Sequence, residues 1–333
     1  MPNEVMVGVI VIIVLALAFD FMNGFHDTAN AIATSVGTRS LRPSTAIIMA
    51  AILNLVGALV SAGVAKTIGS GIVSPASVST LVIVSALISA IIWNIVTWYY
   101  GIPNSSSHAL IGSLLGSAIV FKGTLSVVFW HSFLVKIVLW LILSPVIGFF
   151  AGFVVMTIFM WVLRAATPRF VTRFFSKAQI FSAATMAFSH GSNDAQKSMG
   201  IITMALVSSG AIATFDVPDW VRISCAVAMA LGTAVGGKRI IKTMGVNIAR
   251  LAPVNGFAAD AGAAAVILTA TAMQAPVSTT HVMSTSIMGV GATKRLSAVR
   301  WIVAKNIVIA WVMTIPICAI LSGLIMFILE KIF

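Results

Sequence analysis

The sequence predicts an all-α, multi-span membrane protein made of two inverted-topology repeats, each with a broken helix and a re-entrant hairpin. Three observations carry that prediction. First, 59% of the residues are hydrophobic, 8% are charged and the mean hydropathy is +1.09. A soluble domain carries about a quarter charged residues, so the solvent of this chain is lipid. Second, a polar stretch occurs twice where an apolar helix should run on. Its copies are Asn23-Gly24-Phe25-His26-Asp27-Thr28-Ala29-Asn30 and His190-Gly191-Ser192-Asn193-Asp194-Ala195-Gln196-Lys197. Third, each copy is answered at a similar interval by a second polar insert, Pro103-Asn104-Ser105-Ser106-Ser107-His108 or Pro276-Val277-Ser278-Thr279-Thr280-His281. Between them lies a further echo, Lys66-Thr67-Ile68-Gly69 and Lys242-Thr243-Met244-Gly245. Matched markers in one order are the sign of an internal duplication.

Taken in order, residues 5–22 are apolar and long enough to cross a bilayer core, which takes about 20 helical residues. Met1-Pro2-Asn3-Glu4 lacks the positive region of a cleaved signal, so this run is expected to stay as a span. A break is expected at Gly24–Asp27, before the helix resumes to Val36. Arg39 and Arg42 then mark a cytoplasmic loop and an outside N-terminus. Residues 43–65 form a second span, with Asn54 and a small-residue face at Gly57, Ser61 and Gly63 suited to close packing. Residues 78–100 form a third, ending in the interfacial belt Trp98-Tyr99-Tyr100. Gly101 and Pro103 stop it, and Ser105 to Ser107 can cap the next helix. Ala109 to Val120 is too short to cross and carries Gly112 and Gly116, which suggests a re-entrant segment. Residues 124–163, with Pro145 near the middle, are long enough for two crossings.

Arg164, Arg169, Arg173 and Lys177 make the most basic connection, a cytoplasmic linker at 164–178 between repeats at 1–163 and 179–333. The second half repeats the plan. A broken helix spans 179–209 and a further helix 218–236, followed by the basic run Lys238, Arg239, Lys242 and Arg250. A helix at 255–275 leads to the second hairpin tip, Pro276 to His281, and 297–330 closes the chain with a Trp-to-Pro interval like that of Trp140 and Pro145. An odd number of crossings per half would place the repeats in opposite orientations.

The net charge of +12 would suggest nucleic acid in a soluble protein. Here the basic residues fall between apolar segments, so they mark cytoplasmic loops and contacts with anionic membrane lipids, with no nucleic-acid partner. The expected location is the plasma (inner) membrane. Cys225 and Cys318 lie in apolar runs and imply packing rather than a disulfide. Gly232 to Arg239 approaches a phosphate-binding loop of nucleotide hydrolases, but Arg239 replaces the final Ser/Thr and no strand precedes it.

The polar inserts carry the chemistry. An ionised Asp at a helix centre costs about 2.5–3.5 kcal/mol on insertion scales, so intramembrane acids point to function. Asp27 and Asp194, as a matched pair, are read as cation sites more readily than as helix caps. Freed carbonyls, a carboxylate and amides at Asn23, Asn30 and Asn193 suit a small hard cation; Gln196 offers an anion-facing amide. Asp260 has an apolar first-half counterpart, Leu87, and is a candidate for an extra cation site. The hydroxyl clusters Asn104-Ser105-Ser106-Ser107 and Ser278-Thr279-Thr280 place O–H donors and free N–H groups at helix starts, a setting for a tetrahedral oxyanion. With few cations on hand for that anion, bound Na⁺ would supply the charge. His26, His108, His190 and His281, with Asp27 and Asp194, could in principle form a metal cluster, but no pair is expected at the i, i+4 spacing of a helical metal site, so a proton relay at His190 or His26 is preferred. Lys66 and Lys242 are read as snorkelling interface lysines. Lys197, one turn beyond Asp194, pairs with it or faces the cytoplasm.

These stretches, Gly24 to Ala31, Gly191 to Gly200, Gly101 to His108 and Pro276 to His281, resemble the inorganic phosphate transporter family over nearly the whole chain. The resemblance implies a permease, not an enzyme, that takes inorganic phosphate with Na⁺, or with H⁺ in some members, by alternating access. It implies no cofactor beyond the coupling ion, and functional roles for Asp27, His190, Asp194 and the hydroxyl tips. Sulfate is the alternative anion. A homodimer is compatible with it. Two departures stand out: the central loop is short beside that of animal relatives, and Asn54 stands where those carry an acid.

Overall fold

A computed structural model of the chain describes residues 3–73, 78–236, 241, 243–249 and 251–332. The described residues are nearly all helical and contain no β-strand. Helix α1 covers Asn3–Gly37, α2 Pro43–Val60, α3 Gly63–Gly71, α4 Thr80–Tyr100 and α5 Ser106–Lys122. A continuous helical run follows, made of α6 (Trp130–Phe133), a π-helical turn (Leu134–Val138) and α7 (Leu139–Val162). The second half holds α8 (Pro168–Ser208), α9 (Asp219–Val235), a π-helical turn (Thr243–Asn247), α10 (Pro253–Ala272), α11 (Thr279–Ala292) and α12 (Trp301–Ile332). Among the described residues, six helices are long and apolar enough to cross a membrane: those at Val5–Gly37, Pro43–Val60, Thr80–Tyr100, Leu139–Val162, Pro253–Ala272 and Trp301–Ile332. The basic residues Lys238, Arg239, Lys242 and Arg250, and with them part of the second Lys-Thr echo and of the rejected Gly232–Arg239 match, lie outside the described residues.

Turn chemistry decides several boundaries. Gly101 ends α4 in the left-handed conformation (φ 67°), which costs glycine nothing. Ser105 then caps α5 by accepting from His108 N at 3.2 Å, and Ser278 caps α11 by accepting from His281 N at 3.3 Å. The correspondence between halves extends further. Isolated antiparallel bridges join Val73 to Val128 and Ala249 to Val299. The indole N–H of Trp130 donates to Leu125 O (3.0 Å), and that of Trp301 to Leu296 O (2.8 Å).

Three expectations are corrected. The helices carrying Asp27 and Asp194 are not broken: α1 is continuous over 35 residues and α8 over 41. Their glycines serve close approach instead of unwinding. A Cβ on Gly24 would collide with Met229 O of α9, and one on Gly191 with Asn54 O of α2, so bare backbone lets the crossing helices touch. Likewise Gly112 and Gly116 do not interrupt α5, because they seat it against the backbone of Ile315 and Ala319 in α12. Finally, 124–163 holds one long helical run rather than two crossings, with Pro145 absorbed inside α7. A proline inside a helix omits one backbone bond and bends the helix without having to end it. The basic 164–178 stretch also enters α8 at Pro168, so Arg169, Arg173 and Lys177 ride on helix.

The halves interlock. α5 packs on α12 of the other half, and α11 packs on α7. α1 and α8 lie side by side in opposite directions: Thr38 meets Gln179 at one end, and Asp27 meets His190 and Asp194 further along. Two apolar clusters form the core. One gathers the N-terminal half of α1 with α4, α5 and α9, and the other gathers Ala29 to Ala33 with α10 and α11. A polar layer lies between them, and it holds the inserts singled out above.

Candidate functional site

The layer starts from Asp27 on α1. Its Oδ1 accepts from His26 Nδ1 at 2.7 Å and from the Thr280 hydroxyl at 3.3 Å, while Oδ2 accepts from Ser106 at 3.3 Å. Ser106 also donates to Asn23 Oδ1 at 2.7 Å. One helical turn beyond Asp27, Asn30 donates from Nδ2 to Thr280 (2.8 Å) and Thr279 (3.4 Å). Thr279 in turn donates to Asp194 Oδ2 at 3.3 Å. One carboxylate therefore contacts both hydroxyl tips, and the second tip contacts both carboxylates. The tips themselves touch. Ser107 donates to Val277 O at 3.2 Å, and the rings of His108 and His281 stack with centroids 4.5 Å apart.

Helix α8 supplies the other wall. His190, Asp194 and Lys197 share one face, because i, i+3 and i, i+4 positions are neighbours on a helix. Lys197 Nζ lies 2.7 Å from Asp194 Oδ1 and His190 Nε2 lies 3.5 Å from Oδ2. Asp27, His190 and Asp194 each offer a ligand atom within 4.8 Å of the others. That convergence corrects the expectation drawn from spacing, because His190 and Asp194 are themselves an i, i+4 pair. His190 is held on its far side by Asn54 (Nδ1 to Oδ1, 3.1 Å), whose amide donates to Thr233 at 2.9 Å. Asn54 thus orients a histidine here.

Several predicted residues are tied to neighbouring elements. Gln196 Oε1 accepts from Val64 N at 2.7 Å and Ala65 N at 3.3 Å, and its amide donates to Ser192 O at 2.5 Å, so it caps the start of α3. Asn104 is held between Asn94 (3.3 Å) and Thr314 (2.7 Å). Asn193 donates to Thr271 at 2.9 Å. Asp260 stands off the central cluster, accepting from Thr34 (2.6 Å) and Ser182 (3.2 Å). Ser105 and Ser278 act as caps, leaving Ser106, Ser107, Thr279 and Thr280 to face the centre.

All of these side chains are buried, most of them completely. The carboxyl and hydroxyl oxygens form hard ligands, and Asn30 Oδ1 and Asn193 Oδ1 have no hydrogen-bond partner among the described residues. Orphaned amide oxygens beside carboxylates suit an alkali cation. Asn23 Nδ2 and His190 Nε2 likewise make no hydrogen bond among the described residues, the latter having only its 3.5 Å ionic contact with Asp194. Formal charges on Asp27, Asp194 and Lys197 leave the centre net negative when the histidines are neutral. A net negative centre disfavours an anion unless a positive charge offsets it.

Comparison with known proteins fits this chemistry. The model of the phosphate transporter family matches residues 23–322. A "probable low-affinity inorganic phosphate transporter" of Bacillus subtilis (strain 168) is 50% identical over 327 residues, covering 97% of this chain and 98% of its own. Another of that description, from Rhizobium meliloti (strain 1021), is 48% identical and covers 94% of each chain. A solved structure described as "the sodium-dependent phosphate transporter" superposes with a TM-score of 0.89 at 26% identity, over 98% of this chain and 100% of that one. Its helices, its paired motifs and these relatives together make the chain a member of the phosphate transporter family, an integral multi-pass membrane protein.

Proposed function

We propose that this phosphate transporter imports inorganic phosphate by symport with Na⁺ through alternating access. In this reading Asp27 and Asp194 hold the coupling cations, with Asn23, Asn30, Asn193 and His190 as neutral partners. Ser106, Ser107, Thr279 and Thr280 hold the anion, and Asp260 serves a further cation. The observation that carries the proposal is the shared bonding of the two tips and two carboxylates: Ser106 and Thr280 on Asp27, Thr279 on Asp194. A hydroxyl that donates to a carboxylate can turn to donate to phosphate once a cation takes over that carboxylate. Cation binding thereby frees the anion donors, and that exchange couples the two substrates. Membrane voltage adds to the drive, at ~2.3 kcal/mol per net charge per 100 mV.

Sodium is favoured by the oxygen-rich ligand set and by the sodium-dependent protein of like structure. Phosphate is favoured over sulfate because a protonated phosphate can donate to a carboxylate, whereas sulfate cannot. Proteoliposome uptake with an imposed Na⁺ gradient tests the proposal. Replacing Na⁺ with choline at fixed pH should stop accumulation, and Asp27→Asn should do the same in Na⁺. Undiminished uptake in choline would sink Na⁺ coupling in favour of H⁺, and normal Na⁺-dependent uptake by Asp27→Asn would sink the assigned mechanism.

A further inference from the structure

Four carboxylates lie buried along the α1, α8 and α10 interfaces, and three of them are compensated by the protein. Asp27 has His26, Ser106 and Thr280; Asp194 has Lys197 and Thr279; Asp260 has Thr34 and Ser182. The fourth is Asp20, fully buried, with neither oxygen hydrogen-bonded among the described residues. It stands on α1 two helical turns before Asp27, as Thr34, the partner of Asp260, stands two turns after it. The Ser198 hydroxyl of α8 and the Cys225 thiol of α9 flank Asp20 without reaching hydrogen-bonding geometry, and the Ser198 hydroxyl is itself without a partner. The charged groups facing it are Asp194 and Lys197, and Lys197 is already bonded to Asp194. Helix α4, packed on the same stretch of α1, carries no ionisable residue before Tyr99 at its far end. Its chain neighbour Phe19, together with Cys225 and Ala226 of α9, belongs to the apolar core.

We propose that Asp20, with Ser198, is a further coupling-cation site that takes up one positive charge from solution and releases it as phosphate moves. An unpaired carboxylate in such a setting is strongly disfavoured, and the one cation facing it among the described residues, Lys197, is already bonded to Asp194. A cation supplied from outside is the remaining means of neutralising it. The shared chemistry is a monovalent cation on a carboxylate, either H⁺ or Na⁺. The proposal rests on the symport reading above and adds a cation to it.

The test is the cation-to-phosphate ratio of Asp20→Asn and wild type in proteoliposomes, read from the reversal of phosphate flux under separately imposed Na⁺ and pH gradients. Asp20→Asn should keep phosphate exchange and lose one cation per phosphate. The loss falls in the Na⁺ arm if the site takes Na⁺ and in the pH arm if it takes H⁺. An unchanged ratio in both arms overturns the site while leaving the symport reading intact. A wild type that shows no cation-driven uptake overturns both. Should Asp20→Asn fail to fold, Ser198→Ala keeps the carboxylate and removes the hydroxyl that flanks it. Cation dependence should then weaken by roughly tenfold, the loss of one ligand to the bound cation, and unaltered dependence counts against the site.

Discussion

Lys197 Nζ lies 2.7 Å from Asp194 Oδ1, one turn along the same helix, with both side chains sealed from solvent. A buried pair of this kind adds little to stability over an apolar pair, but breaking it leaves an uncompensated charge at a cost of about 3–5 kcal/mol. Lys197→Met should therefore lower the thermal unfolding midpoint in detergent sharply. The double variant Lys197→Met with Asp194→Asn should recover most of that loss while remaining unable to accumulate phosphate. Equal instability of the single and double variants would mean that the pair is not the cause.

The hydroxyl tips give a prediction of a different kind. Ser106 and Thr280 both donate to Asp27, each at 3.3 Å, and both would turn toward the anion in the proposed cycle. Removing one bond to a charged group costs about 1.5–3 kcal/mol. Ser106→Ala and Thr280→Val should each raise the KM for phosphate by roughly 10- to 100-fold, with folding retained. Uptake kinetics at saturating Na⁺ check this, and a KM within twofold of wild type would remove the hydroxyls from the anion site.

Glycine placement separates packing from unwinding. Gly24 and Gly191 bring helix backbones together at Met229 and Asn54, whereas a Cβ on Gly71 would meet its first neighbour only at 3.6 Å. Overfilling a packed contact costs about 1–3 kcal/mol. Gly24→Ala and Gly191→Ala should each lose about that much stability, and Gly71→Ala should not. Thermal unfolding of the three variants decides it. Indifference at Gly24 and Gly191 would restore the idea that these residues serve flexibility.

How much of this was legible in the sequence differs from residue to residue. The all-helical membrane class, the paired motifs and the ends of α4 and α5 followed from composition, spacing and the Gly101–Ser105 turn chemistry. The meeting of the two tips followed from the duplication. The continuity of α1 and α8 did not, because a glycine beside polar residues signals a break or a close crossing equally well, and only the partner helix tells which. Gln196 reads as a free amide until α3 is seen to start on it. His190 with Asp194 was visible as an i, i+4 pair, and a search of mixed His and Asp spacings would have found it. Thr34 with Asp260 was not visible, since nothing in the linear order brings α1 to α10.

That last contact makes Asp260 a case distinct from the central acids. It is buried and accepts from Thr34 at 2.6 Å and Ser182 at 3.2 Å, two turns along α1 from Asp27. Among the described residues it makes no hydrogen bond to either hydroxyl tip; its two hydroxyl partners already stabilise its charge in place. If it serves a further cation, that cation binds beside the anion site and not in it. Asp260→Asn should then raise the Na⁺ concentration needed for half-maximal uptake by roughly tenfold and leave the phosphate KM at saturating Na⁺ close to wild type. Asp27→Asn should lose uptake at every Na⁺ concentration. Measured Na⁺ titrations of both variants decide between these outcomes. A loss of phosphate affinity in Asp260→Asn at saturating Na⁺ would move this residue into the anion site, and an unaltered Na⁺ titration would leave it a structural acid that ties α10 to α1 and α8.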